Sequence, residues 1–470
     1  MKLTPLVQLL PLATLVLALQ TITRDVAVIG GGAGGTYAAV RLGDYNKSVV
    51  VVEQSETLGG ATRTYHDPAT GQTIDVGVQI FQNMDIVKSF FGRYNLPLTN
   101  MSIGISGAGD GLLPVDLRTG QHFNYSVLPS NDNITVAFEK YAAQLARFPF
   151  LTEPGIQLPD PVPEDLLLPF GKFVDKYDLQ DMVQLIALQA QGFGNVLEST
   201  TLYVFKFFNE VVLQNLASSF LASATTNSHE LYEKAYDDLG GADNVLFNST
   251  IISIDRPRKS DPDAPIKLYV RSSSTGEIVA INTKQIVFAI PPVSSNFESV
   301  DLDKTEDNLI SRFTSHTFIA GVLRNAAYPE SPGLLYNADL SSPYNLPKLP
   351  SIYFIGPMFS PSNLTAFPYG DAFPPHPGND DAIKDQVLAL VKKSVPGSDP
   401  EIVSWMNPGP YECQVSAEEI RGGFYKRLNA LQGYRNTWWT GASWQHPDCA
   451  LIWNFTDAVV MPGLIQALSE

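Results

Sequence analysis

The stretch DVAVIGGGAGGTYAAVRLGDYNKSVVVVE, residues 25–53, constrains this chain more than any other. An apolar run at 26–29 leads into a glycine turn, a helical pattern follows, and a second apolar run at 49–52 ends on Glu53. Glycines at Gly30, Gly32 and Gly35 lie between a strand and a helix, with an acid 18 residues beyond the last of them. Together these form a complete βαβ dinucleotide fingerprint. Gly30 permits the tight turn, Gly32 lets a pyrophosphate approach the backbone, and Gly35 lets the helix pack closely on the strand. Ala33 and Gly34 open that helix, whose free N–H groups and dipole favour phosphates. Glu53 is placed to accept hydrogen bonds from ribose hydroxyls. The competing reading is an ordinary glycine turn with no ligand, and the full strand–helix context argues against it.

At 470 residues the chain is long enough for two domains. Its first 20 residues read as a secretory signal peptide: Lys2 is the only charge, an apolar run covers residues 6–19, and Ala18 and Gln20 offer a cleavage edge. An uncleaved anchor is the alternative. Seven Asn-x-Ser/Thr sequons follow, at Asn46, Asn100, Asn124, Asn133, Asn248, Asn363 and Asn454. A signal and repeated sequons together lead us to expect passage through the secretory route, with glycans on surface loops.

The net charge of -17 argues against nucleic acid and anionic membranes as partners. Beyond the leader, no stretch approaches the roughly 18 uninterrupted apolar residues of a span, so stable membrane insertion is not expected. Cys413 and Cys449 are the only cysteines; they form either one disulfide or two separate buried thiols. The six histidines show no metal-ligand spacing, so no metal is expected.

Patterning changes along the chain. YHDPATGQTIDVG reads as a hairpin around a turn. Residues 85–240 carry longer helical patterns, such as PFGKFVDKYDLQDMVQLIALQAQ, interrupted by prolines. From 245 the chain returns to strands: NVLFNSTIISI, IKLYVR, GEIVAI and KQIVFAIPP. The expected fold class is α/β: a discontinuous Rossmann-type domain (residues 21–84, 241–295 and 430–470) with an inserted α+β substrate domain (85–240 and 296–429).

Four further segments carry a family resemblance. Gly59 and Gly60 precede Arg63, IDVGVQIF (74–81) carries an Asp-x-Gly, KQIVFAIPP ends on Ile-Pro-Pro, and WTGASW (439–444) is followed by LIWNFT (451–456). The pattern resembles the flavin-containing amine oxidoreductase superfamily, in particular its fungal secreted branch similar to β-cyclopiazonate dehydrogenase. The likeness runs over about residues 24–468 and is thinnest in the substrate domain. It implies FAD bound in a GR2-like Rossmann domain. It places Gly59, Gly60, Ala61 and Arg63 at the phosphates, the Ile251 amide at adenine, and Gly441 and Ala442 at the ribityl-phosphate. The loop amides of Ala450 and Leu451 would face flavin O2. Two positions depart from the family: Ala61 stands where an arginine is usual, and Ala442 where an acid is usual.

LGGADN (239–244) has no strand before it, so no second dinucleotide site is expected. Such an enzyme takes electrons from an organic substrate and passes them on. The resemblance implies an oxidase or dehydrogenase removing a hydride from a C–H next to nitrogen in an amine or alkaloid-like metabolite. The alternatives are a thioether oxidase resembling prenylcysteine lyase, and a flavin-bound isomerase or binding protein without net redox turnover. The lysine that many relatives place near the flavin is missing from SHTFIAGVLRN, which leaves His316, and His446 in the C-terminal loop, as candidate catalytic groups. For both, the competing reading is a hydrogen-bonded core histidine. Trp438, Trp439, Trp444 and Trp453 form either a substrate wall or plain core. Some relatives carry a covalent flavin link, which would fall on Cys449. The sequence leaves the oligomeric state open.

Overall fold

The computed structural model describes residues 19–103, 111–257, 264–326, 333–356, 364–371 and 379–469. Most of the leader, up to residue 18, and Asn363 lie outside the described residues.

Strand β1 (Gln20–Ile29), helix α1 (Ala33–Asp44) and strand β2 (Val49–Val52) form the βαβ unit. The four valines of β2 and residues 26–29 of β1 are buried on both faces, the signature of parallel strands covered on either side. Parallel to β1 runs Ile278–Phe288, and parallel to that runs Thr437–Trp439. Val245–Leu246 joins the other edge of β2. Ser249–Asp255 and Ile266–Ser272 extend the sheet as an antiparallel meander.

Register decides what this sheet can do. Ile29 pairs with Val52 on one side and with Phe288 on the other, and Phe288 pairs with Trp439. The strands therefore end on one line. Gly30, Glu53, Ala289 and Thr440, far apart in sequence, emerge together at the carboxyl edge, where open α/β sheets bind their ligands.

The hairpin β3 (Thr62–His66) and β4 (Thr73–Gly77) forms as the turn residues predict. The expected long helix after Pro169 is instead two: Phe170–Tyr177 and Val183–Gln189. Asp178 adopts a left-handed conformation (φ 52) at the first helix's end, where the short polar side chain of Asp tolerates it. An antiparallel sheet carries Thr314–Arg324 at its centre, flanked by Leu364–Gly370, Glu401–Met406 and Pro410–Gln414. The chain then closes on a continuous 19-residue helix, Cys449–Ala467, apolar and long enough to cross a membrane by composition alone. Here its first half, Cys449–Phe455, packs on α1 and is largely buried, the environment of a core helix.

Candidate active site

The glycine turn is built by close approach. Gly30 has φ +98, and a Cβ there would lie 2.8 Å from the Ala289 carbonyl oxygen. A Cβ on Gly35 would fall 1.8 Å from the Gly30 carbonyl oxygen, so only glycine lets α1 start this close to β1. Gly32 caps α1 without any side-chain hydrogen bond, leaving first-turn N–H groups to a ligand. The second glycine pair folds against the first: the Gly59 N–H donates to the Gly31 carbonyl (2.8 Å), and a Cβ on Gly60 would lie 3.1 Å from the Gly32 Cα.

Glu53 is buried beside this turn, and its carboxylate accepts from the Gly31 N–H (2.6 Å) and the Ser55 N–H (2.8 Å). The Ser249 N–H donates to the Glu53 carbonyl (2.9 Å), which brings Ile251, two residues on, to the same corner. A bulge interrupts the strand directly after Ile251. From the C-terminal segment, Thr440 and Ile452 press on the glycine turn: a Cβ on Gly34 would lie 3.1 and 3.0 Å from them. Gly441 follows with φ +109 and open space around its Cα, and Ala442 begins a single 3-10 turn.

Arg63 is half-buried and forms no ion pair among the described residues. Burial pushes its guanidinium pKa down, and the nearby carboxylates of Glu53 and Glu56 oppose that. A half-buried, unpaired cation beside an uncapped helix start and a glycine cradle is the donor set a pyrophosphate requires. The residues present fit FAD.

A cavity of about 460 Å³ opens beyond Ala61 and the end of β4. This size suits a small organic ligand. Its walls are aromatic, with Phe193, Phe207, Phe318 and Tyr411 among them, and its polar edge is His446, Pro447, Asp448 and Cys449.

His446 is 2 % exposed, its ring 4.7 Å from that of Phe207 and 5.4 Å from that of Phe193. Its Nε2 has no hydrogen-bond partner, and its Nδ1 lies 3.7 Å from Oε2 of Glu412. Burial, then the Lys206 ammonium, hold the imidazole pKa well below its ordinary value, so the ring is neutral at neutral pH. Burial raises the Glu412 carboxyl to about 8, against the hydrogen bond it accepts from Gln414. It raises Asp448 to about 6, against the N–H groups of Leu451 and Ala450 and the Gln82 side chain.

Several sequence expectations change here. His316 lies on the central strand but does not line the cavity; it packs against Gly194, and burial lowers its pKa to about 4. The four tryptophans are core, not a cavity wall. Trp439 stacks on Trp444 (5.3 Å), Trp438 donates to Gln285, and Trp453 packs among Tyr37, Phe81 and Phe90. Phenylalanines supply the wall because the strands and helices around the cavity carry them inward.

Cys413 and Cys449 are free buried thiols, so the disulfide alternative is not realised; burial pushes both up to about 12. Cys449, Ala450 and Leu451 open a helix where a loop was expected. The Leu451 N–H is taken up by the Asp448 carboxylate (3.0 Å), which caps that helix. Sequence reasoning missed Glu412, Asp448 and Lys206. Asp448 carried a signal, an N-cap aspartate three residues before an apolar run. Glu412 carried only its charge between Tyr411 and Cys413. Lys206 is buried, holding the carbonyls of Leu151 (3.0 Å), Glu153 (3.3 Å) and Gly155 (2.8 Å). It therefore anchors the 151–155 segment from outside the cavity.

A parallel sheet with a pyrophosphate cradle at its carboxyl edge and an adjoining organic-ligand cavity defines a Rossmann-type flavin oxidoreductase. Residues 28–94 match the NAD(P)-binding Rossmann-like domain family. The chain is 37% identical over 456 residues to the FAD-dependent oxidoreductase oblC of Cochliobolus heterostrophus, covering 95% of this chain and 92% of that protein. It is 32% identical to the β-cyclopiazonate dehydrogenase of Aspergillus oryzae, covering 96% and 95%.

Among solved structures, the CLA-producing fatty acid isomerase from P. acnes superimposes with a TM-score of 0.75 at 17% identity, covering 93% of this chain and 98% of that one. Wild-type putrescine oxidase bound to putrescine superimposes at 0.63 and 15% identity, covering 94% and 100%. Both show the shared fold. The chain belongs to the fungal FAD-dependent oxidoreductase family that includes β-cyclopiazonate dehydrogenase. It is an FAD-dependent oxidoreductase of amine-oxidase-like fold.

Proposed function

We propose that this oxidoreductase removes a hydride from a C–H next to nitrogen in an amine or specialised-metabolite substrate, the electrons passing on to oxygen or another acceptor. FAD, when bound, supplies the hydride-accepting chemistry. The observation that carries the reading is the cavity itself: aromatic walls, with a polar edge of His446, Asp448 and Cys449 where the C-terminal helix begins. That edge is placed to meet the polar nitrogen of a substrate whose apolar body the rings enclose. The rings exclude water, and the glycine cradle and Arg63 orient the cofactor. The similarity to β-cyclopiazonate dehydrogenase supports a nitrogen-containing specialised metabolite as the small-molecule partner.

The test is anaerobic mixing of the yellow holoenzyme with a panel of secondary amines and indole alkaloids, followed by air and a peroxide assay. Bleaching of the flavin band by panel members, and not by thioethers or unsaturated fatty acids, is expected. Bleaching by thioethers alone, or double-bond migration in fatty acids without peroxide, would overturn the reading.

The same reading places the enzyme in the secretory route. Asn46, Asn100, Asn124 and Asn133 are exposed, as glycan acceptors require. Loss of mass after enzymatic N-glycan removal from natively produced protein is the expected outcome; an unglycosylated intracellular protein would contradict it.

A further inference from the structure

Tyr411 lines the cavity with a hydroxyl that nothing in the protein uses. It lies opposite His316 on the central strand and leans across to Phe318, two residues on along the same face, with ring centroids 4.9 Å apart. Gly192 presses on the ring from another side: a Cβ there would lie 2.7 Å from two of its atoms. A β-bulge follows directly. Thr314 pairs with Gln414 and His316 with Tyr411, so Glu412 and Cys413 together stand opposite Ser315. Bulges of this kind re-aim side chains and concentrate beside active sites. The ring is thus fixed by packing, within electrostatic reach of Asp448 and Cys449 at the polar edge of the cavity.

The Tyr411 hydroxyl forms no hydrogen bond among the described residues, and the side chain keeps some open surface. Nearby tyrosines spend theirs inside the protein. The Tyr353 hydroxyl accepts from the Gly192 N–H (3.2 Å), that of Tyr203 accepts from the Val415 N–H (2.8 Å), and that of Tyr425 donates to Tyr203 (2.8 Å). Burial holds the Tyr411 phenol well above its ordinary pKa, so its proton is present at neutral pH.

The rest of the lining narrows what can meet this hydroxyl. Among the described residues around the cavity, none is a lysine or arginine. The one acid, Asp448, is taken up by the Leu451 N–H that it caps (3.0 Å). A carboxylate or an ammonium finds no free counter-charge there, and an unpaired charge among aromatic rings is costly. The amides of Gln79 and Gln191 already donate to the carbonyls of Asp75 (2.8 Å) and Leu188 (2.7 Å). Gln189 lines the cavity unbonded, but an amide donates and accepts alike and selects neither partner. A phenol on a fixed ring is a good donor and a weak acceptor.

We propose that Tyr411 is a specificity-determining residue: its hydroxyl donates to a carbonyl oxygen of the substrate, which is a neutral nitrogen heterocycle carrying that carbonyl. This rests on the reading of the cavity as the substrate site and narrows the nitrogen compounds it takes. The carbonyl held at Tyr411 and the rings of Phe318 and Phe207 together fix how the heterocycle lies. A substrate without the carbonyl leaves the phenol bare and loses that orientation.

The test reads binding without turnover. Oxindole and indole, and carbostyril and quinoline, are two pairs of neutral heterocycles that differ by a ring carbonyl. Each is titrated into holoenzyme at neutral pH, and the flavin absorption band reports binding. The wild type is expected to bind the carbonyl member of each pair roughly tenfold more tightly, the scale of one hydrogen bond in a dry site. In Tyr411→Phe, which keeps the ring packing, the two members are expected to bind alike, while Gln189→Leu keeps the preference. A wild type that binds neither member, or shows no preference, overturns the proposal, as does a preference that survives in Tyr411→Phe. If that variant loses its flavin, the carbonyl stretch of carbostyril bound to the wild type decides. A downshift from its value in dry aprotic solvent is expected, and an unshifted band overturns the assignment. A carbonyl preference without flavin bleaching by any amine leaves Tyr411 its role and removes only the hydride-transfer reading. Bleaching without a carbonyl preference does the reverse.

Discussion

Among the described residues, two buried clusters of titratable side chains are built to opposite rules. In the first, Arg256 is fully buried and bonds Glu306 through two N–H groups (2.6 and 2.9 Å) and Asp301 through its Nε (2.7 Å). Arg435 closes the cluster onto the same two acids. Two cations meet two anions, and none of the four leaves a buried atom unpaired. This cluster staples the sheet's antiparallel extension to the helix Lys304–Ile310 and to the strand Thr437–Trp439.

In the second, Glu412 and His446 meet at 3.7 Å with an orphan atom on each. Burial there favours the neutral form of both groups. The difference teaches how to read buried charge. A cluster that satisfies every atom holds the fold. One that leaves buried atoms bare, on a residue that lines a cavity, marks a candidate functional group.

The largest expected effect breaks the first cluster. Arg256→Ala leaves Glu306, itself fully buried, without its main counter-charge. Removing one partner of a buried pair costs about 3–5 kcal/mol. Urea unfolding checks this, and an unchanged midpoint would place the cluster's weight elsewhere.

His446→Gln tests the second cluster where it touches the cavity. The rate of flavin reduction by a panel substrate is expected to fall by roughly 10²-fold, the scale of positioned proton transfer. Stopped-flow absorbance reads that fall, and unfolding should change far less than for Arg256→Ala.

Glu412→Gln sharpens the contrast through pH. The native carboxyl, raised from 4.5 to about 8, stays protonated where the unfolded chain has released its proton. The wild type's stability from this group therefore falls as pH rises from 4.5 through about 8. The glutamine variant lacks that slope. Its melting temperature should match or trail the wild type at low pH and gain on it above pH 8. Parallel melting curves across the range would show that Glu412 does not titrate as a buried acid.

The smallest effect is expected at Cys449. Cys449→Ser should retain the fold and the yellow cofactor, and acid precipitation of the wild type should release its FAD into the supernatant. Reductant should not alter gel mobility, because Cys413 and Cys449 do not pair. A yellow acid pellet, lost in Cys449→Ser, would mean a covalent link.

The cofactor end was legible in the sequence because its logic is local. Gly30, Gly35 and Glu53 are required by turn geometry, close packing and strand length, all within one βαβ unit. The second glycine pair and the WTGASW segment were legible as motifs, and the parallel register brings them to the same edge. The cavity was not legible. Its walls come from separate elements, among them Phe193, Phe207, Phe318 and Tyr411, none of which differs in sequence from ordinary core. The tryptophans misled for the same reason, since a large aromatic reads alike in core and wall. His446 and His316 were equal candidates by type; only the fold sets one on the cavity and the other behind it.

By itself, then, the sequence determined the α/β class, the glycine cradle and the choice of a dinucleotide, because short-range backbone sterics and strand periodicity specify them. Tertiary structure alone decided the pairing of Glu412 with His446. Those residues are far apart in the chain, and their meeting depends on a bulge opposite Ser315 and on how deeply both are buried. Register and desolvation are properties of the packed whole, and no local pattern of residues encodes them.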